Sequence, residues 1–208
     1  MFKPGEERTD GYRMAFHFNR SLFKVLVRHL EPGQGDSILD VGCSRGFYVK
    51  AMEAYTRNVT GVDNSEISVS EAVSDKVEWG DATSLRFEDG TFDKVYSLHT
   101  IEHLPNPRAL ISEIERVLKP GGTAIVVYPW ELFRGMQALG AAVRLYRNPF
   151  RAGRVHIHRL TPTRLAALVA DSPMIHRESK FVPAMGLQFM TILDKQPRAV
   201  ADGYRSIG

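Results

Sequence analysis

The stretch Ile38–Lys50, ILDVGCSRGFYVK, runs from an apolar segment through a glycine-containing turn. Gly42 and Gly46 carry no Cβ, so a ligand can approach that backbone closely. Asp63 follows about 20 residues on, where a carboxylate can accept hydrogen bonds from ribose hydroxyls. The dinucleotide fingerprint G-x-G-x-x-G fails, because Ser44 and Phe47 stand at its second and third glycine positions. A Walker loop fails as well, since no Gly-Lys-Ser/Thr follows. A ribose reader and a close-approach turn without a pyrophosphate cradle point to a nucleoside ligand lacking phosphates. A second reactive group is Ser97–His103, SLHTIEH. Imidazole titrates near neutrality, so a His here suits proton removal from a hydroxyl or ammonium acceptor. HTIEH is formally H-x-x-E-H, the inverted zinc-protease motif. That motif needs a long helix and a further carboxylate, and Pro105 and Pro107 limit any helix, so peptidase chemistry is set aside. Cys43 has no activating partner in sequence reach and reads as a small residue at a buried edge.

Alternating strands and helices must position these groups. Residues 14–30 place Phe18, Leu22, Phe23, Leu26 and Leu30 at helical spacing, and Pro32, Gly33 and Gly35 break that helix. Strands are expected at 37–41, 58–63, 77–80, 92–97 and 123–128. Helices are expected over 48–55, after Asn64-Ser65, and over 106–118, with Lys119-Pro120-Gly121-Gly122 as a sharp stop. This βαβα order predicts an α/β fold: a Rossmann-like doubly wound sheet, mostly parallel. After a helix at 161–170, two strand-like runs at 176–182 and 187–194 form a terminal hairpin, which makes the last strand antiparallel. The 208 residues read as one domain: a helical cap over 1–36, a cofactor-binding core over 37–128, an insert over 129–160, and a terminal helix and hairpin over 161–195.

Composition bounds the setting. Hydrophobic residues make up 43% and charged residues 25%, as in an ordinary soluble globule. One Cys excludes an internal disulfide framework and fits a reducing, cytoplasmic setting. No signal peptide and no bilayer-length apolar run is visible. The net charge of +3 is too small by itself to argue for nucleic acid.

The chain resembles class I S-adenosylmethionine-dependent methyltransferases of the small-molecule, "type 11" branch. DVGCSRG resembles their first motif, Asp/Glu-x-Gly-x-Gly-x-Gly, with Ser44 in place of the middle Gly. GVDNS resembles the second, and WGDATSLRFEDGTFDKVYSLHTIEHLPNPRALISEIERVLKPGG resembles their third-to-fifth-strand region. The likeness spans about Ser37 to Val127. It implies S-adenosylmethionine as cofactor, with Gly42, Ser44 and Gly46 beside its methionine part and Asp40 at that loop or the amino group. Asp63, with Asn64 beside it, would take the ribose hydroxyls. Asp81 and the Ala82 N–H would take the adenine, and Leu98 would line the site. His103 matches a histidine of aminosugar N-methyltransferases, His99 shares its loop, and Tyr12 stands for their N-terminal active-site tyrosine. A likeness to metal-assisted methyltransferases of the ubiquinone pathway, with Glu-x-x-Glu-His here and a later His, would enlist His99, Glu102, His103, His156 and His158; no metal is expected.

The implied reaction is methyl transfer to an O or N atom of a small-molecule acceptor: a natural product, sugar, quinone or lipid intermediate. The runner-up is a non-catalytic cofactor-binding protein. Nucleic-acid methylation is disfavoured, because the Asn/Asp-Pro-Pro-Tyr signature and an attacking Cys are both absent after the fourth strand. The segment from Trp130 to Arg159 is too long for a connector. Trp130, Leu132, Phe133, Met136, Leu139, Val143 and Tyr146 recur at mostly helical spacing among Arg134, Arg144, Arg147, Arg151 and Arg154. It reads as a lid over the acceptor. Attachment to an anionic membrane is a further use of such a segment but not the expected one, and the chain is expected to be a monomer or homodimer.

Overall fold

The computed structural model describes residues 18–184 and 186–197. Helix α1 spans Arg20–Leu30, six residues later than expected, because Asn19 caps it: its side chain accepts the Leu22 N–H at 2.8 Å. Phe18, just before the cap, packs on Phe23 with ring centroids 5.3 Å apart, so the apolar pattern continues upstream as a hydrophobic staple. Residues 14–17 and Tyr12 lie outside the described residues.

Strands β1 (Ile38–Val41), β2 (Val59–Asp63), β3 (Val77–Trp79), β4 (Phe92–Leu98), β5 (Leu118–Pro129), β6 (Met174–Pro183) and β7 (Leu187–Lys195) form one sheet in the order β3-β2-β1-β4-β5-β7-β6. The first five are parallel, β7 runs antiparallel to β5, and β6 antiparallel to β7. Helices α2 (Phe47–Met52), α3 (Glu66–Ser70) and α4 (Pro107–Val117) connect the parallel strands. Successive side chains on a strand point to opposite faces. Ile38, Ile125 and Val127 therefore join Leu22, Leu26 and Leu30 of α1 in one core layer, while Leu39, Ala124 and Val126 join Leu110, Ile111 and Ile114 of α4 in the other.

Lys119–Gly122 does not stop the chain before a separate strand. Helix α4 passes directly into β5, and the pairing with β4 jumps from Phe92–Leu118 to Lys94–Thr123. The four residues bulge opposite Asp93, and Gly121 takes φ +81°. A Cβ on Gly122 would fall 2.8 Å from the Asp93 carbonyl oxygen, so the glycine permits strand contact as well as a turn.

The insert after β5 is helical in short pieces: a 3-10 turn over Met136–Ala138, α5 (Leu139–Tyr146), a second 3-10 turn over Pro149–Arg151, and α6 (Ala152–Val155). Helix α7 (Pro162–Val169), capped by Thr161, then leads to the terminal hairpin. Among the described residues no helix is long and apolar enough to cross a membrane.

Arg116 on α4 fastens the segment between β3 and β4. It donates to the Leu85 and Phe87 carbonyls at 2.9 and 2.7 Å and pairs with Glu113 and Asp89. Arg116→Ala strands those carbonyls and is expected to lower the unfolding free energy by about 1–3 kcal/mol in denaturant melts.

Candidate active site

Strand order reverses between β1 and β4, the point where open α/β sheets bind ligands beyond the strands' carboxyl ends. An open cavity of about 290 Å³ lies there. Its wall is built from four strand ends: Asp40 and Gly42 to Ser44 at the end of β1, Val62 to Ser65 at the end of β2, Gly80 and Ala82 after β3, and Leu98 to Thr100 at the end of β4. Phe47, Tyr48, Ser68, His103, Leu104 and Pro105 complete it, with Tyr146 and Val155 from the insert.

The glycine turn is tied to the end of β2. The Gly42 and Cys43 N–H groups both donate to the Val62 carbonyl, at 2.8 and 3.1 Å. The Ser44 N–H donates to Asp63 Oδ2 at 2.7 Å, and the Ser65 N–H to Asp63 Oδ1 at 2.9 Å. Gly42 has φ +82°, and a Cβ there would sit 2.0 Å from Thr100 Oγ1. Ser44 also lies in the left-handed region, at φ +51°. Burial raises the Asp63 carboxyl above its ordinary range, against the pull of the Ser65 and Ser44 N–H donors. Asp40 is buried, its Oδ1 has no hydrogen-bond partner among the described residues, and burial pushes its carboxyl well up. Such an oxygen on a cavity wall fits an ammonium donor from a ligand. Burial also pushes the Cys43 thiol well up, which makes it inert.

The structure brings Asp40, Gly42, Ser44, Asp63, Asn64, Ala82, Leu98, His99 and His103 to one cavity. Gly46 and Asp81 are not in its lining. Gly46 caps α2 with φ +72°, and its missing Cβ makes room for Val77 Cγ2, which would otherwise be 2.3 Å away. The exposed Asp81 carboxylate accepts from the Thr83 N–H and hydroxyl at 2.8 and 2.7 Å.

The loop after β4 carries a buried polar cluster. His99 has φ +56°, and its Nδ1 and Nε2 lie 3.3 Å from Glu102 Oε1 and 2.6 Å from Gln188 Oε1. Burial works to lower the His99 pKa, but bonding to Glu102 and Gln188 outweighs it and the net shift is upward. Burial likewise works to raise Glu102, yet its histidine neighbours hold it below the usual carboxylate range. His103 donates from Nδ1 to the Val155 carbonyl at 2.8 Å. Burial lowers its pKa and His156 reinforces that, while the Glu102 charge opposes it, so the ring is neutral near pH 7.

His156 belongs to the same cluster. Its ring centroid is 5.1 Å from that of His103, and its Nδ1 is 2.6 Å from Glu131 Oε1. Ligand atoms of Glu102, His103 and His156 lie within 4.8 Å of one another, the spacing a divalent ion would use, and Glu102 Oε2 is buried with no partner among the described residues. Glu131 and Gln188 were not among the sequence candidates. A signal for Glu131 existed: it is the sole acid between Glu115 and Asp171.

A family model described as "Methyltransferase domain" matches residues 39–126, the part of the chain that holds β1 to β5 and most of this cavity. Those residues form a methyltransferase domain similar to that of class I S-adenosylmethionine-dependent methyltransferases. The chain is 35% identical over 143 residues to a sterol 24-C-methyltransferase of Saccharomyces cerevisiae, an alignment covering 58% of this chain and 37% of the yeast protein. It thus spans well under half the length of that curated relative. Its fold is similar to that of the YcgJ protein from Bacillus subtilis, with TM-score 0.67 at 17% identity, covering 84% of this chain and 97% of that one. A SAM-dependent methyltransferase from Aquifex aeolicus superposes with TM-score 0.62 at 17% identity, over 94% of this chain and 100% of the other.

Gly42→Ala tests whether the methyltransferase turn needs both its left-handed backbone and the space beside Thr100. The substitution is expected to cost roughly 1–3 kcal/mol of stability. Titration with S-adenosylhomocysteine should show weakened binding, because Thr100 shares the cavity wall.

Proposed function

We propose that the protein transfers a methyl group from S-adenosylmethionine to an O or N atom of a largely apolar small-molecule acceptor. The observation that carries this reading is His103: a neutral imidazole, oriented through Nδ1 by the Val155 carbonyl, in the same cavity wall as the Gly42–Ser44 turn and Asp63. Bound there, S-adenosylmethionine supplies a methyl group already activated by its sulfonium.

The chain's residues fit the rest of the task. Asp63 accepts from the ribose hydroxyls, Asn64 stands beside it, and Asp40 meets the amino group. Gly42 and Ser44 admit the methionine part, with Gly46 setting the start of α2. The Ala82 N–H, with Asp81 next to it, serves the adenine, and Leu98 covers one side. His103 Nε2 accepts the proton that the acceptor sheds as its lone pair attacks the methyl carbon and the carbon–sulfur bond breaks. His99 holds Glu102 in place, and Tyr12 is the proposed partner from the N-terminal segment. Phe47, Tyr48, Leu104, Tyr146 and Val155 give an apolar wall, and likeness to a sterol methyltransferase supports an apolar acceptor.

A second reading has specific support in the unpartnered Glu102 Oε2: Glu102, His103 and His156 hold a divalent ion that binds the acceptor oxygen. Imidazole and carboxylate ligands suit zinc, iron or manganese.

Incubation with labelled S-adenosylmethionine and panels of sterol, prenyl, quinone and sugar acceptors tests the reaction. Cofactor binding without transfer to any of them would favour a binding protein, and a new carbon–carbon bond would reject the heteroatom assignment. His103→Ala is expected to lower turnover about 100-fold or more while leaving S-adenosylhomocysteine affinity nearly unchanged. As a base with a depressed pKa, His103 keeps its active form to lower pH than free imidazole. The acid limb of kcat/KM should therefore inflect below 6.5, with a plateau above it. Activity lost to a chelator and restored by an added divalent ion would select the metal reading. Asp63→Ala leaves two ribose hydroxyls unpaired and is expected to weaken cofactor binding by about 2–3 kcal/mol in calorimetry.

A further inference from the structure

Residues 132–170 contain seven arginines, at 134, 144, 147, 151, 154, 159 and 164, and no Asp or Glu. The carboxylate just before them, Glu131, is buried and already accepts from the Gly135 and Gln137 N–H groups and from His156. Its side chain makes those bonds inside the fold rather than at the surface. Arg134, Arg159 and Arg164 donate to backbone carbonyls, and Arg151 lies over the Tyr146 ring.

The apolar side chains of this segment are arranged the wrong way round for a part that only packs on its own core. Its small internal cluster consists of Ala138, Ala142, Ala152 and Val155. The larger groups face outward: Leu132 is 65% exposed, Phe133 54%, Val143 50% and Phe150 95%. On α5, Leu139 and Val143 stand one turn apart and are exposed, Arg144 beside Val143 is exposed as well, and the exposed Arg147 follows the helix end. Leaving such groups in water forgoes the stabilisation that burial gives.

We propose that this insert docks on an anionic phospholipid surface, with Leu132, Phe133, Leu139, Val143 and Phe150 entering the headgroup–acyl boundary and the arginines meeting lipid phosphates. Basic side chains interleaved with exposed aromatic and aliphatic groups, on short helices lying at a surface, are the chemistry of interfacial binding. A second copy of this chain is a poor occupant, because a two-fold contact would set arginine against arginine. Nucleic acid would use the charge but has no use for Leu132, Leu139 and Val143, which cannot stack on bases. Tyr146 and Val155 of the same insert line the cavity, so docking would place the cavity wall next to the layer that dissolves an apolar acceptor. That last link rests on the proposed function; the docking itself does not.

Co-sedimentation of the full chain with vesicles tests it without any turnover. Vesicles of phosphatidylcholine and phosphatidylserine at about 7:3 are compared with pure phosphatidylcholine. Binding is expected to the anionic vesicles alone and to fall steeply with salt. Arg144→Gln and Arg147→Gln should each weaken it about fivefold. Phe133→Asp with Phe150→Asp should weaken it more than tenfold, with circular dichroism and S-adenosylhomocysteine binding unchanged. No binding to anionic vesicles at low salt would overturn the proposal. So would full retention by the phenylalanine variant, or tighter binding to a single-stranded RNA than to the vesicles. Failure here would leave methyl transfer to a soluble acceptor standing, and absent methyl transfer would leave the docking result standing.

Discussion

One carboxylate holds the cofactor end of the site together. Asp63 receives the Ser44 N–H on one oxygen and the Ser65 N–H on the other, so the turn after β1 and the turn after β2 share an anchor. The left-handed backbone of Ser44 is strained for a residue with a Cβ and persists where surrounding bonds over-determine it. Two further N–H groups of the same turn reach the Val62 carbonyl at the end of β2. The turn is thus braced by the protein's own bonds, and Asp63 itself lines the cavity.

The loop after β4 and the insert depend on a different bond set, between segments 25 to about 55 residues apart. The Ile157 and His158 N–H groups both donate to the Glu102 carbonyl, His103 donates to the Val155 carbonyl, and His156 pairs with Glu131. The insert is therefore latched by polar contacts to the loop after β4, while its own apolar cluster is made largely of alanines. Small side chains bury little area, so this part rests more on directed bonds than on hydrophobic burial. A segment held that way can shift relative to the sheet at lower cost than an element of the main core.

The parallel core was legible because its signals are local. Glycine turns, capping residues such as Ser65 and Asn106, and period-two apolar runs act within a few residues. Lys119–Gly122 misled for the same reason: it has turn chemistry, and only the pairing of β5 with β4 makes it a bulge. Asp81 and Gly46 match a motif and stand next to Ala82 and Phe47 of the cavity lining. The insert's helical spacing was visible, but which side faces solvent was not, since alanines rather than the Leu and Phe residues form its interior.

The amino-acid sequence by itself determined the strand order's raw material, the close-approach turn at Gly42 and the carboxylate at Asp63, because each depends on residue type at short spacing. Only the tertiary structure decided that His156 and Val155 meet Glu102 and His103, that Glu131 pairs with His156, and that Gln188 of the last strand reaches His99. Those contacts join positions 25 to 89 residues apart. Side-chain chemistry at one position carries no record of which distant partner the packed sheet will bring against it.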